Sequence, residues 1–217
     1  MGFDLKTVYY LVLFFSFCYA LIFGIQKGLK RQNYIFVYLL ITFLVDFVLQ
    51  IKIILYNLSS FNGAYYKAYA IFCIIFFCWF YYYSLSVKQR RFLLATTAFA
   101  VFYSLYIIDF RNNVVEPGLG IILSFHYIFI SLNWFYYKIQ KAEEKKLVDY
   151  PYFWISSGLL IWGGFFLFRI IPAKYFFEND PEFNYILKTI NFIISTIMYC
   201  LFSMAIFKFR QHESASV

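Results

Sequence analysis

The chain has few of the residues on which enzyme and metal chemistry depend. Its 217 residues include two histidines, His126 and His212, and four cysteines, none of them in a Cys-x-x-Cys pair. A catalytic zinc site takes three protein ligands, so two histidines predict that no zinc is bound. The sequence also has no Gly-x-Ser-x-Gly motif, no phosphate-binding loop and no paired carboxylates at helical spacing. These absences predict a protein that is not an enzyme and that holds neither a metal nor a cofactor.

Charge and proline are also scarce. Charged residues make up 14% of the chain, against about 25% in typical soluble domains, and hydrophobic residues make up 63%. The four prolines all lie between or at the ends of long apolar stretches: Pro117, Pro151, Pro172 and Pro181. Because proline removes a hydrogen bond from a helix interior, this placement indicates uninterrupted helices.

Seven apolar stretches occupy nearly the whole chain, and short connections join them. A helix needs roughly 20 apolar residues to cross the hydrocarbon core of a bilayer. The sequence therefore predicts an all-α integral membrane bundle of seven transmembrane helices. It forms one domain over residues 1–217, and no soluble domain is expected. We place the helices at about 8–26, 34–56, 64–87, 92–110, 118–138, 152–172 and 184–207.

The basic residues predict which way this bundle lies in the membrane. Short cytoplasmic loops carry an excess of Lys and Arg. Twelve of the 19 basic residues fall in alternate connections or at the carboxyl end of the last helix: Lys27, Lys30, Arg31, Lys88, Arg90, Arg91, Lys138, Lys141, Lys145, Lys146, Lys208 and Arg210. The opposite connections are acidic. The amino terminus is therefore expected outside and the carboxyl terminus inside.

The net charge of +8 has the same explanation. In a soluble chain it would suggest nucleic-acid binding, which requires basic residues gathered on one face. Here they are spread over alternate loops, where they meet lipid headgroups. The lipid bilayer is the expected partner, and nucleic acid is not.

Polar side chains inside the predicted spans are the candidates for a functional site, since charged and amide groups are costly at bilayer depth. On the second, fifth and seventh spans they recur at steps of four, seven and three residues, which return to one face of a helix. The sixth span adds an arginine near its outer end. The predicted ligand-binding residues are Asp46, Gln50, His126, Asn133, Arg169, Lys188 and Asn191.

With the expected orientation, these groups gather toward the outer side of the bundle. Lipid cannot solvate them, so they must face protein or water. The sequence predicts an outward-opening pocket lined by Asp46, His126, Lys188 and Asn191, with Arg169 at its rim. Two other interpretations stay open. Asp46 pairs with Lys188 or His126 and simply holds the helices together, or the same groups form an ion or proton path.

The segment that opens the sixth span carries a resemblance. Pro151-Tyr152-Phe153-Trp154-Ile155-Ser156-Ser157-Gly158-Leu159-Leu160 matches the pattern Pro-x-Phe-Trp-Ile-x-x-Gly-x-Leu, and the last span has the Asn-containing run Ile190-Asn191-Phe192-Ile193-Ile194. Both resemble a group of small bacterial seven-helix proteins often encoded near histidine kinases or response regulators. The likeness is strongest over residues 149–207. That group often has an acidic residue near the position of Phe76, which this chain lacks. The resemblance implies membrane sensing or signalling.

The leading hypothesis is a receptor-like sensor or signalling partner in the plasma (inner) membrane of a bacterium. A ligand would act from the outer side, and a membrane or cytoplasmic signalling protein would contact the inner connection at 139–149. One alternative is a small-solute or ion transporter or channel, with Asp46, His126 and Lys188 along its path. Another is a structural subunit of a larger membrane complex.

Overall fold

The structure, a computed structural model, describes residues 5–56, 63–109, 111–112, 114–141 and 146–214. Its description leaves out the side chains at 48–56, 173–174, 177 and 212–214. The α-helices are α1 Leu5–Lys27, α2 Ile35–Tyr56, α3 Gly63–Tyr82, α4 Val87–Ile107, α5 Pro117–Gln140, α6 Pro151–Ile170, α7 Ala173–Asn179 and α8 Pro181–Ser214. Two 3-10 turns, Leu29–Gln32 and Leu147–Asp149, complete the regular structure of these ranges. The prediction of an all-helical protein is confirmed.

Several element boundaries differ from the predicted spans: α4 begins at Val87 instead of 92, and α8 ends at Ser214 instead of 207. Helix α3 ends at Tyr82 instead of 87, because the backbone N–H and the hydroxyl of Ser84 both donate to the Tyr81 carbonyl, at 3.0 and 2.8 Å. The chain turns there, and α4 begins at once. The short helix α7 was not predicted. It occupies the connection between Pro172 and Pro181, the residue at which α8 begins.

Six of the long helices form a closed ring. Helix α1 packs against α2 and α8, α2 against α3, α3 against α5, α5 against α6, and α6 against α8. Helix α4 lies outside this ring and packs on α3 and α5. Helices α2 and α6 therefore stand on opposite sides of the ring. So do α1 and α5, and α3 and α8.

Small residues allow the closest approach within the ring. A Cβ atom added to Gly163 on α6 would lie 3.0 Å from the backbone oxygen of Ser124 on α5. One added to Gly158 would lie 3.1 Å from the Phe202 ring on α8. At Gly164, the residue after Gly163, an added Cβ atom would meet open space. The α5–α6 and α6–α8 contacts thus depend on two of the small residues in the predicted sixth span.

One half of the ring is filled by large aromatic side chains. Tyr38 of α2, Phe77 of α3 and Phe202 of α8 meet on the ring axis, with ring centroids 4.9 Å apart for Tyr38–Phe77 and 5.8 Å for Tyr38–Phe202. Below them, Trp134 and Tyr152 stack at 6.2 Å. This half carries the basic connections named above, and its interior is closely packed.

The exterior of the bundle is apolar and suits a lipid environment. Five of the described helices, α1, α3, α5, α6 and α8, are long and apolar enough to cross a membrane, and the stretch Ile35–Phe47 of α2 is apolar but shorter. Large side chains such as Phe15, Phe99 and Phe102 are exposed on the outside. The bundle fits a membrane location. Seven crossings and the orientation of the termini stay predictions.

Candidate functional site

A cavity of about 630 Å³ lies inside the ring, in the half opposite the packed aromatic core. Its lining extends to Lys6, Glu116 and Ile170, toward the end of the bundle where α1, α3, α5 and α8 begin. All six helices of the ring contribute to its walls. Pockets for small molecules typically measure about 300–1,000 Å³ and combine apolar walls with a few polar groups. Both the size and the lining of this cavity fit that description.

Asp46 on α2 is the acidic group in the middle of the cavity wall. Its carboxylate accepts hydrogen bonds from the hydroxyl of Tyr9 on α1 and from that of Tyr66 on α3, the second at 3.5 Å. Pairing with Lys188 or His126 was one of the interpretations left open, and the structure shows neither residue at the carboxylate. Phenol groups from the two neighbouring helices hold the carboxylate instead. Asp46 thereby joins α1, α2 and α3 at one level of the bundle.

Tyrosine and threonine hydroxyls form the floor of the cavity. The hydroxyls of Thr42 on α2 and Tyr69 on α3 lie 2.7 Å apart. Tyr127 from α5 and Tyr199 from α8 complete this layer, and the Tyr199 ring packs 5.8 Å from that of Tyr9. The floor therefore offers aromatic faces together with hydroxyl groups that both donate and accept.

Lys67 on α3 secures the connection between α4 and α5 beside the rim of the cavity. Its side chain is fully buried, and its ammonium group makes three hydrogen bonds, the number that it can donate. The acceptors are the carbonyls of Asp109 and Asn112, at 2.6 and 2.8 Å, and Oε1 of Glu116 at 2.9 Å. Glu116, the residue before α5, lines the cavity. Lys67 thus fixes a cavity residue in place.

The pKa of Glu116 shows the effect of this contact. Partial burial alone would raise it. The hydrogen bond from Lys67 and two backbone hydrogen bonds outweigh that effect, and the net result is a pKa below the ordinary glutamate value. Glu116 therefore keeps its charge to a lower pH than an ordinary glutamate does.

Arg169 and its aromatic neighbours form the opposite wall, on α6. The Arg169 guanidinium lies 5.7 Å from the centre of the Phe166 ring, which stacks on Trp162 at 4.6 Å. Trp162 in turn donates from Nε1 to the hydroxyl of Ser195 on α8, at 3.1 Å. The positive charge of Arg169 therefore lies at the end of this row of side chains that is farthest from Ser195.

Of the residues predicted to bind a ligand, the structure brings Asp46, Arg169 and Asn191 together around this cavity. Oδ1 of Asn191 is buried, and no hydrogen-bond donor reaches it within the described part of the chain. Gln50 was also predicted, but its side chain lies outside the described residues. Whether any of these residues binds a ligand stays a prediction.

Three predicted residues lie elsewhere. His126 is buried behind the cavity, with Nε2 3.1 Å from the Ile74 carbonyl of α3. Asn133 donates to the Gln89 carbonyl of α4 at 3.2 Å, in the other half of the bundle. Lys188 is exposed on the outside of α8. The expectation that His126 and Lys188 share a pocket with Asp46 was wrong, since a common helix face does not determine which neighbour that face meets.

Several residues in the cavity or beside its rim were missed by the sequence analysis. Lys67 lies inside the predicted span 64–87, so the rule that selected Asp46 would also have selected it. The tyrosines of the cavity do not stand out in the sequence, because tyrosine is common at membrane interfaces and in packed cores. They are Tyr9, Tyr66, Tyr127 and Tyr199.

The described residues include no group of three His, Cys, Asp or Glu side chains placed to hold a metal ion. The chemistry available in the cavity is recognition by charge, hydrogen bonding and aromatic contact. No family model, curated protein sequence or solved structure matches this chain. Its class follows from its own fold: a helical bundle suited to a membrane, with a largely apolar cavity that carries a few polar and charged groups.

Proposed function

We propose that this chain is a seven-helix membrane receptor that binds a small ligand in the cavity and catalyses no reaction. In this proposal the amino terminus and the cavity face the outside, and the carboxyl terminus lies in the cytoplasm. The positive-inside rule supports that orientation, because twelve of the 19 basic residues belong to the end opposite the cavity.

The observation that carries the proposal is a cavity that extends toward one end of the bundle and has the closely packed half of the ring beneath it. Below the tyrosine floor, Phe77, Phe202 and Trp134 are less than 2% exposed. Tyr81 and Ser156 close the same region with a hydrogen bond of 2.7 Å between their hydroxyls. A dead-end cavity suits a ligand that binds and leaves by the same route. A transport path would need a second opening.

Helix α8 offers a route from the cavity to the other end of the bundle. It lines the cavity from Asn191 to Tyr199 and continues to Ser214, so that its 34 residues extend about 50 Å. Near its far end, Lys208 pairs with Asp149 at 3.1 Å, in the connection before α6. A ligand that shifts α8 would therefore also shift the connection at 139–149. Residues 142–145 of that connection lie outside the described residues.

We place the protein partner at the end of the bundle where Lys208 meets Asp149. We propose a signalling protein that contacts the 139–149 connection, in the inner membrane of a bacterium. The resemblance of residues 149–207 to bacterial seven-helix proteins encoded near two-component systems supports this placement. A structural role in a larger membrane complex is an alternative, and recovery of a fixed stoichiometric assembly that forms without any ligand would favour it.

The test measures which side of the membrane reaches the cavity. All four native cysteines are replaced by alanine, and Asn191→Cys is introduced into that background. A charged, membrane-impermeant thiol reagent is added to right-side-out or inside-out vesicles. We expect labelling from the outside alone. Ile197→Cys, which is exposed on the apolar exterior of the same helix, is the matched control and should stay unlabelled.

The transporter alternative makes a different prediction for the same vesicles. Alternating access would expose Asn191→Cys to reagent from both sides. Labelling from both sides would replace the receptor proposal with a transporter. Labelling from the inside alone would overturn the orientation, and no labelling from either side would overturn the open cavity.

A further inference from the structure

We infer that the ligand of this cavity is a small zwitterion that carries an ammonium group and a carboxylate, as an α-amino acid does. This inference rests on the proposed function, because it names the ligand class of the same cavity. Its basis is the arrangement of opposite charges on opposite walls. Neither charge is neutralised by an oppositely charged group among the described residues.

The two walls belong to helices that are not neighbours in the ring. Asp46 lies on α2 and Arg169 on α6, which stand across the ring from each other. The hydrogen bonds to Asp46 come from neutral phenols, and the close contact of Arg169 is the face of the Phe166 ring. Partly buried charges are costly without compensation, so each favours a ligand group of opposite sign.

The charges also lie at different depths. Trp162 is level with Ser195, its hydrogen-bond partner. At 1.5 Å per residue, Arg169 lies about 10 Å above Trp162, whereas Asn191 lies about 6 Å above Ser195. Asn191 and Asp46 therefore surround the middle of the cavity, and Arg169 stands at its mouth. A ligand with its ammonium group inward and its carboxylate outward matches this order.

The hydrogen-bonding groups match the same orientation. Oδ1 of Asn191 is a buried acceptor that no donor reaches among the described residues. An ammonium group brings three donors and no acceptor. The faces of Tyr9 and Tyr199 add cation–π attraction. At the mouth, the planar guanidinium of Arg169 suits a carboxylate, which it can hold through two parallel hydrogen bonds.

Ligands with one charge satisfy half of this arrangement. A plain amine would neutralise Asp46 and would leave Arg169 without a counter-charge in the occupied cavity. A plain carboxylate would neutralise Arg169 and would leave Asp46 with neutral hydroxyl partners and no counter-charge. Both classes therefore serve as comparisons in the test.

The test uses the full chain in lipid nanodiscs and matched sets of probes in three sizes. The zwitterions are glycine, leucine and phenylalanine. Each is compared with the amine that lacks its carboxylate and with the acid that lacks its ammonium group. Binding is followed by calorimetry and by the fluorescence of Trp162, which lines the cavity, with Trp162→Phe identifying the source of the signal.

We expect at least one amino acid to bind tenfold or more tightly than both of its single-charge analogues. The opposite result, an amine or an acid that binds as tightly as the matching amino acid, overturns the inference. Failure of all the probes to bind overturns it as well.

Variants on the two walls assign the two ends of the ligand. Asp46→Asn should weaken the amino acid and the amine roughly ten- to a hundredfold and leave the acid unchanged. Arg169→Gln should weaken the amino acid and the acid by a similar factor and leave the amine unchanged. Glu182→Gln and Lys188→Gln, exposed at the same end of the bundle, are the charge-matched controls. Equal losses for all probes in both wall variants would contradict the assignment.

Thiol labelling separates a failure of this inference from a failure of the proposed function. If Asn191→Cys is labelled from the outside and no probe binds, the receptor proposal stands and the ligand class is wrong. If the position cannot be reached from the outside, both proposals fail.

Discussion

Replacing Lys67 with methionine tests whether one buried ammonium group holds the α4–α5 connection against α3. Methionine keeps an unbranched apolar stem, so the packing around α3 is largely retained. The change removes three hydrogen bonds: two backbone carbonyls lose the Lys67 donor, and the Glu116 carboxylate keeps the backbone N–H of Asp109, at 3.2 Å, but loses its ion pair. Breaking a fully buried ion pair costs about 3–5 kcal/mol. Here Glu116 is 25% exposed and can regain water, so we expect roughly 2–3 kcal/mol.

The measurements are thermal unfolding in detergent and hydrogen exchange of the connection. For a chain of this length, roughly 2–3 kcal/mol corresponds to a fall in Tm of about 4–12 °C. Amides between Ile108 and Glu116 should also exchange faster, because α3 no longer holds them. Lys188→Met removes an exposed charge at the same end of the bundle and should leave both measurements unchanged. A Lys67→Met protein with the wild-type Tm and unchanged exchange would refute this account of the contact.

The remaining predictions concern pH, packing and the buried carboxylate. Because the pKa of Glu116 is lowered in the folded chain, its stabilising contribution is present above the ordinary glutamate pKa. It is lost as pH falls through the lowered value, so Glu116→Gln should flatten the acid limb of a plot of Tm against pH, and identical limbs would contradict this. Gly163→Ala should cost about 1–3 kcal/mol by overpacking against α5. Gly164→Ala should stabilise the protein by up to about 1 kcal/mol, because alanine has the higher helix propensity and position 164 faces open space. A Gly163→Ala protein with a higher Tm than the Gly164→Ala protein would exclude the close contact at Gly163. Asp46→Ala leaves the Tyr9 hydroxyl without its acceptor and should lower stability by roughly 1–3 kcal/mol, and an unchanged Tm would argue that water already solvates the carboxylate.

Much of the fold could be predicted because the signals are local. A long apolar stretch bounded by proline or charge specifies a helix and its approximate ends, whatever it packs against. Each of the seven predicted spans overlaps one long helix of the structure. The differences arose where a short contact decided the boundary, as at Ser84, or where a connection was long enough to form a helical turn of its own, as in α7.

The cavity could be predicted only in part. Asp46, Arg169 and Asn191 were found because charged and amide groups stand out in an apolar span, and all three line it. His126 satisfied the same rule, yet its nitrogen bonds a carbonyl of α3. Lys67 is also a charged group within a predicted apolar span, and it was missed.

The sequence by itself determined that the chain is helical, that it is apolar enough for a membrane, and that its charges divide between two ends. Only the tertiary structure decided that α4 lies outside the ring, that phenols from α1 and α3 hold Asp46, and that Arg169 faces it across a cavity. The physical reason is rotational. Helical periodicity relates the residues of one helix to each other, whereas the rotation of that helix about its own axis is set by how the side chains of all its neighbours pack against it.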